Sequence, residues 1–239
     1  MNKKSQITIF IIIGILLIIT IAIFTYIQKE RVYIEPELIE PELVPIKNYV
    51  ESCIAAAGED AVGLLGLQGG YIEIPKEISE EKYAYIEVDE TGFFKIPFWY
   101  YNGQSRIPGI DFMENQISEY VKDNVKECIR EFIAFEKEFD ITEIKNINSK
   151  TIIQENSVLV QLDYPVKIKD KGQGKVSYIK DFSAVVPVKL KQAYDLGVDI
   201  IEQENKDLYF EDITIDLMAL HPEIPFTGME FTCKQKKWF

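Results

Sequence analysis

Three cysteines, one histidine, a group of closely spaced glycines and a large excess of carboxylates are the side chains of this 239-residue chain with chemistry to offer. Cys53, Cys128 and Cys233 stand far apart, with no Cys-x-x-Cys spacing to mark a metal site or a redox pair. His221 is the single histidine and precedes Pro222, so no second imidazole can complete a zinc site. A Ser-His-Asp or Cys-His arrangement would have to bring His221 to a serine or to Cys233, and no Gly-x-Ser-x-Gly elbow supports one. A packed or surface histidine is the simpler reading. Gly63, Gly66, Gly69 and Gly70 invite comparison with a phosphate cradle, but they fall at the end of a predicted helix, where the dipole repels anions. Gly172-x-Gly174 has no helix after it and carries no nucleotide signature. The 39 acidic residues are too numerous for any pair to stand out. We expect no catalytic residue, no cofactor and no metal. The alternative is a carboxylate-dependent surface hydrolase, with two acids about 5–10 Å apart in a cleft.

Cys53 and Cys128 gain meaning from the elements that carry them. Over residues 46–67, Ile46, Val50, Cys53, Ile54, Ala57, Ala61, Leu64 and Leu65 recur at helical spacing, with Pro45 before the first turn and Gly69-Gly70 at the end. Over residues 110–139, the longest helix expected after the N-terminal segment, Ile110, Met113, Ile117, Tyr120, Val121, Val125, Cys128, Phe132 and Phe135 trace one stripe. Both cysteines thus lie on apolar helix faces. If the helices pack together in an oxidising compartment the sulfurs can bridge, and closing a loop of roughly 75 residues stabilises by about 4 kcal/mol in the chain-entropy model. Two buried free thiols are the competing reading.

Between and beyond those helices the pattern turns to strands. Residues 71–74 and 83–88 alternate, and residues 93–101 are aromatic and broken by Pro97. Phe98, Trp99, Tyr100 and Tyr101 are four rings in a row, and on a strand only two can enter one core. The others cover a neighbouring element or form a patch for a partner or a glycan. Residues 148–154 form a short strand. Residues 157–169 and 175–190 form a hairpin around a glycine-bearing loop, with Pro165 and Pro187 tolerable at an edge or a bulge. A helix over 191–204 and an alternating segment over 212–220 follow. Cys233 has no evident mate once Cys53 and Cys128 are paired: it is free, bridges to another chain, or belongs to a chain that continues past Phe239.

Residues 6–27 are apolar without a charged side chain, and Lys3 and Lys4 precede them. That length suits a bilayer core, which takes about 20 residues of helix, and exceeds the apolar part of a removable signal peptide. Lys3 and Lys4 on one side barely outweigh Lys29 and Arg31 on the other, so flanking charge leaves orientation open. The cysteines favour an extracytoplasmic domain. Tandem Ile34-Glu35-Pro36-Glu37-Leu38 and Ile39-Glu40-Pro41-Glu42-Leu43, then Val44-Pro45, read as a semi-rigid acidic stalk. Beyond the apolar stretch stand 24 basic residues against 39 acidic ones, a net charge of −15 that disfavours nucleic acid and anionic lipid as ligands.

Lys3-Lys4-Ser5-Gln6-Ile7-Thr8-Ile9-Phe10 resembles the archaeal class III signal of type IV pilin-like proteins. That resemblance implies cleavage between Ser5 and Gln6. Phe10 departs from it, because many pilins place a glutamate there to pair with a neighbouring subunit. A plain signal-anchor explains the same residues. The wider layout resembles a group of uncharacterised archaeal membrane-anchored surface proteins: Val50 to Cys53, a Leu67-Gln68-Gly69-Gly70-Tyr71 turn, an aromatic strand, and Val125 to Cys128. This likeness implies location and no activity.

The expected organisation is a leader over 1–5, a transmembrane helix over 6–28, a proline-rich stalk over 29–45 and an extracytoplasmic α+β domain over 46–239. Its antiparallel sheet is packed with two amphipathic helices. The function expected is non-enzymatic display of that ectodomain at the cell surface, for adhesion or envelope assembly, with a pilin-like filament subunit as the alternative. Expected partners are the lipid bilayer and other surface proteins or identical subunits, and no nucleic acid.

Overall fold

The computed structural model describes residues 13–20, 40–88 and 94–220. They divide into two compact units, Met1–Pro45 and Ile46–Phe239. In the first unit residues 13–20 are helical and Pro41–Leu43 form a 3₁₀ turn. Among the described residues no helix is long and apolar enough to cross a membrane. The rest of the expected span and most of the stalk, Ser5 and Gln6 of the leader, His221 and Cys233 lie outside the described residues.

The second unit is α+β with antiparallel sheets. Helix α1, Val44–Leu67, begins two residues before the apolar pattern does, because Pro45 fits a first turn whose N–H groups need no partner. Ile46, Val50, Cys53, Ile54, Ala57, Ala61 and Leu65 of the stripe read from the sequence are buried, Leu64 is only half-buried, and Gly58 and Val62 are buried beside them. The helix stops at Gly69 and Gly70, with φ of +63° and +95°, and the Gly70 N–H returns 2.8 Å to the Leu65 carbonyl. A Cβ on Gly70 would stand 2.6 Å from Pro108 Cγ.

Residues 71–74 form no strand, contrary to their alternation. Side chains take the place of a ladder: Gln68 Nε2 donates to the Tyr71 and Ile72 carbonyls, and Gln116 both accepts from Ile72 N–H (2.6 Å) and donates to the Glu73 carbonyl (2.7 Å). A short helix α2, Lys76–Ser79, precedes two small antiparallel pairs: β1, Tyr85–Glu87, with β2, Lys95–Pro97, and β3, Tyr100–Tyr101, with β4, Gln104–Ser105.

Helix α3, Ile110–Ile129, is ten residues shorter than its apolar pattern suggests. Arg130, Glu131 and Phe132 take φ of 45°, 53° and 61°, a left-handed run that turns the chain. The spacing of Val125, Phe132 and Phe135 hides that turn, since apolar residues continue on helical intervals through a chain that has left the helix. The longest described helix is therefore α1.

The main sheet holds β5, Phe139–Glu143; β6, Asn148–Ile153; β7, Val158–Asp170; and β8, Val176–Val186, all antiparallel. Strands β5 and β6 lie one after the other along the same edge of β7, and β8 takes the other edge, so the sheet is three strands wide. The register shifts between Asp163 and Val166, where Pro165 sits in a bulge and its carbonyl accepts from Ile144 N–H. Val158, Val160, Leu162, Tyr164, Val166 and Ile168 are buried on one face, while Lys167 and Lys169 are exposed on the other.

The buried face carries both helices. A Cβ on Gly58 of α1 would meet Val186 Cγ2 at 3.0 Å and Val160 Cγ2 at 3.5 Å, so that helix lies directly on β7 and β8. From α3, Ser118 Oγ donates to Thr151 Oγ1 (2.9 Å) and the Glu114 carboxylate accepts from Ile153 N–H (2.8 Å), seating the helix on β6. Helix α4, Leu190–Asp207, follows. Residues 212–220, whose alternation suggests a strand, belong to helix α5, Tyr209–Leu220. Phe210, Ile213, Leu217 and Leu220 sit at helical intervals there, and this second period is the one the chain adopts.

Candidate functional site

Cys53 of α1 and Cys128 of α3 meet with their sulfurs 2.00 Å apart and their Cα atoms 5.6 Å apart. Cys53 is fully buried. Cys128 is exposed, which corrects its placement on the buried stripe; that stripe runs through Met113, Ile117, Val121, Val125 and Ile129. Tyr49 reinforces the junction, its hydroxyl donating to the Cys128 and Ile129 carbonyls at 2.8 and 3.3 Å. The orphan carbonyls ending α3 are thus satisfied from α1.

The aromatic block does not lie on one strand. Only Tyr100 and Tyr101 are in β3, and the four rings take separate roles. Trp99 is wedged: its Nε1 donates to the Gly69 carbonyl (2.7 Å), its ring lies 5.8 Å from that of Tyr194, and a Cβ on Gly197 would come within 2.9 Å of it. Phe98 and Tyr101 lie nearly parallel, centroids 6.4 Å apart, with the Arg106 guanidinium 5.0 Å from the Tyr101 ring. Arg106 is fixed by Glu81 at 2.6 Å. Phe98 and Tyr100 are exposed, and Trp99 and Tyr101 are half-buried.

A cleft of about 650 Å³ opens beside the left-handed turn, lined by Lys126, Ile129, Glu131, Phe132, Ile141, Thr142, Glu143 and Tyr164. Tyr164 is wholly buried and stacked on Phe132, with ring centroids 6.2 Å apart. Its hydroxyl donates to Glu143 Oε1 at 2.6 Å, while Lys126 Nζ holds the other carboxylate oxygen at 2.8 Å. Burial, reinforced by the Glu143 charge, pushes the Tyr164 hydroxyl far above its ordinary range. Burial also pushes Glu143 upward, but hydrogen bonds from Lys126 and Tyr164 outweigh it and hold the carboxyl below its usual value. The phenol therefore stays protonated and the carboxylate ionised. A glycosidase needs a carboxylic acid raised so that it can donate a proton, and Glu143 is moved the other way. What this trio does is tie α3, β5 and β7 together.

Sequence reasoning missed the trio. Its one available signal was Tyr164-Pro165 inside an otherwise alternating strand, which marks the bulge beside which Tyr164 meets Glu143 of β5. Among the described residues no group of three or more histidine, cysteine or acidic side chains is placed to hold a metal ion. No protein-family model, curated protein or solved structure matches the chain.

Proposed function

We propose that the chain is a membrane-anchored surface protein whose domain over 46–239 is displayed outside the cytoplasm for adhesion or envelope assembly, without catalysis of its own. The observation that carries this reading is the cysteine pair. Two cysteines 75 residues apart sit at disulfide distance, and protein disulfides persist in oxidising compartments. An uncharged apolar stretch over residues 6–27 supplies the matching anchor. The Glu143–Tyr164–Lys126 trio supports a structural rather than catalytic use of the cleft beside the left-handed turn, since its protons are held in place.

Fractionation with alkaline washing tests the anchor. The full-length chain stays with the membrane pellet if the reading holds; release into the wash without detergent refutes it. Protease added to intact cells or right-side-out vesicles tests the side: digestion of the domain is expected, and full protection would place it inside. A pilin-like filament subunit is the second reading, favoured by Lys3 to Phe10. Mass spectrometry of the mature N-terminus separates the two, a chain beginning at Gln6 supporting processing and one retaining Met1 or Asn2 removing it.

A further inference from the structure

A second cleft lies away from the trio, between α3 and the strandless segment after Gly70. It measures about 450 Å³, and Glu73, Asn115, Gln116, Glu119, Tyr120 and Asp123 are among the residues that line it. That volume falls within the range of about 300–1,000 Å³ usual for small-ligand sites. Its walls are fixed before any ligand arrives. Gln116 uses both ends of its amide on Ile72 and Glu73, pinning the segment to the helix, and Phe112 meets Tyr71 edge-to-face at 5.7 Å. Such preorganisation spares a ligand the cost of ordering its site.

The chemistry of the lining is mixed. Tyr120 offers ring surface, while the Phe112 ring is packed against Tyr71. The side chains of Glu73, Asn115 and Tyr120 make no hydrogen bond or ion pair among the described residues. An amide and a phenol each both donate and accept, whereas a carboxylate only accepts. A fitting ligand must therefore bring several O–H donors, acceptors close beside them, and an apolar face of ring size. A metal ion does not fit, since no three of the acids converge as ligands. A small organic cation fits less well than the carboxylate count suggests, because Lys122 pairs with Glu119 and also interacts with Asp123.

We propose that this cleft binds a neutral pyranose unit of a glycan, with Tyr120 against the sugar's C–H face and Asn115, Glu73 and Asp123 taking its hydroxyls. The assignment goes beyond surface display and does not depend on the anchor, so either can fail alone.

The test uses the full chain in a detergent without a sugar headgroup. Neutral disaccharides built from glucose, galactose, mannose and N-acetylglucosamine are followed by saturation-transfer NMR and calorimetric titration. At least one is expected to bind, and Asn115→Ala, at an exposed position, is expected to weaken it about tenfold with the melting temperature unchanged. Tyr120→Phe, which keeps the ring and removes the hydroxyl, is expected to weaken it less than Tyr120→Ala. Absence of binding across the panel overturns the proposal. So does binding indifferent to Asn115→Ala and Tyr120→Ala, or displacement of the sugar by spermidine at equal concentration, which would mark a cation site.

Discussion

A buried hydroxyl aimed at a carboxylate makes stability depend on pH at both ends of the scale. Tyr164 has a folded-state pKa raised above its unfolded value, first by burial and then by Glu143. The stability it contributes is complete below the ordinary tyrosine value of about 10 and falls as pH rises beyond it. Glu143 is shifted downward, so its contribution is complete above the ordinary value of about 4.3 and is lost as pH falls through the lower folded value. Denaturant titrations of the wild type and Tyr164→Phe should therefore converge as pH climbs past 10, the wild type losing an advantage the variant never had. Near neutrality the variant should be weaker by about 1–3 kcal/mol, the cost of leaving a charged acceptor short of a donor. Equal pH profiles for the two proteins would show that the hydroxyl is not seated on Glu143. The carboxylate is more than a third exposed, so only the direction of its acid-side effect is predicted.

At the scale of elements, two backbone turns decide where the helices stop, and they invite opposite substitutions. Gly70 has φ of +95° and no room for a methyl group beside Pro108, so Gly70→Ala should destabilise by at least about 1–3 kcal/mol. Arg130 closes α3 in the left-handed region that glycine favours, with its N–H returning to the Lys126 carbonyl. It is exposed, and Arg130→Gly should raise stability by up to about 1 kcal/mol in urea unfolding. A loss there would show that the arginine side chain holds the turn. These two sites also show what the sequence made legible. Gly69-Gly70 announced the end of α1, as glycine after a periodic apolar run does. Arg130, Glu131 and Phe132 gave no such warning: none is glycine or proline, and Phe132 continues the apolar spacing of α3. The hairpin of β7 and β8 was readable because one alternating face is buried. The segment over 71–74 alternates equally well but finds its partners in Gln68 and Gln116, and side-chain hydrogen bonds leave no period to read. Both clefts were invisible for a related reason. Their lining comes from segments tens of residues apart, and nothing local in the chain announces that Glu143 will reach Tyr164 or that Gln116 will hold Ile72 and Glu73.

For the whole molecule, the link between α1 and α3 is where fold and location meet. The bond closes a loop of 75 residues that contains both small strand pairs, α2 and the segment lining the second cleft. In the chain-entropy model such a loop is worth about 4 kcal/mol, a large share of the 5–15 kcal/mol that holds a domain folded. Cys53→Ala combined with Cys128→Ala should thus lower the denaturant midpoint substantially without changing which helices form, because the apolar stripes of both lie on the sheet regardless of the bond. The same pair reports the compartment. Thiols facing the cytoplasm are kept reduced, while those facing outward oxidise. Native membranes alkylated before lysis and digested without reductant should yield one peptide pair joined through Cys53 and Cys128, separating only after reduction. Recovery of both residues alkylated would place the domain on the reducing side of the membrane. Display at the surface would then fail as a function, while the sheet, the helices and the sugar cleft would stand unchanged.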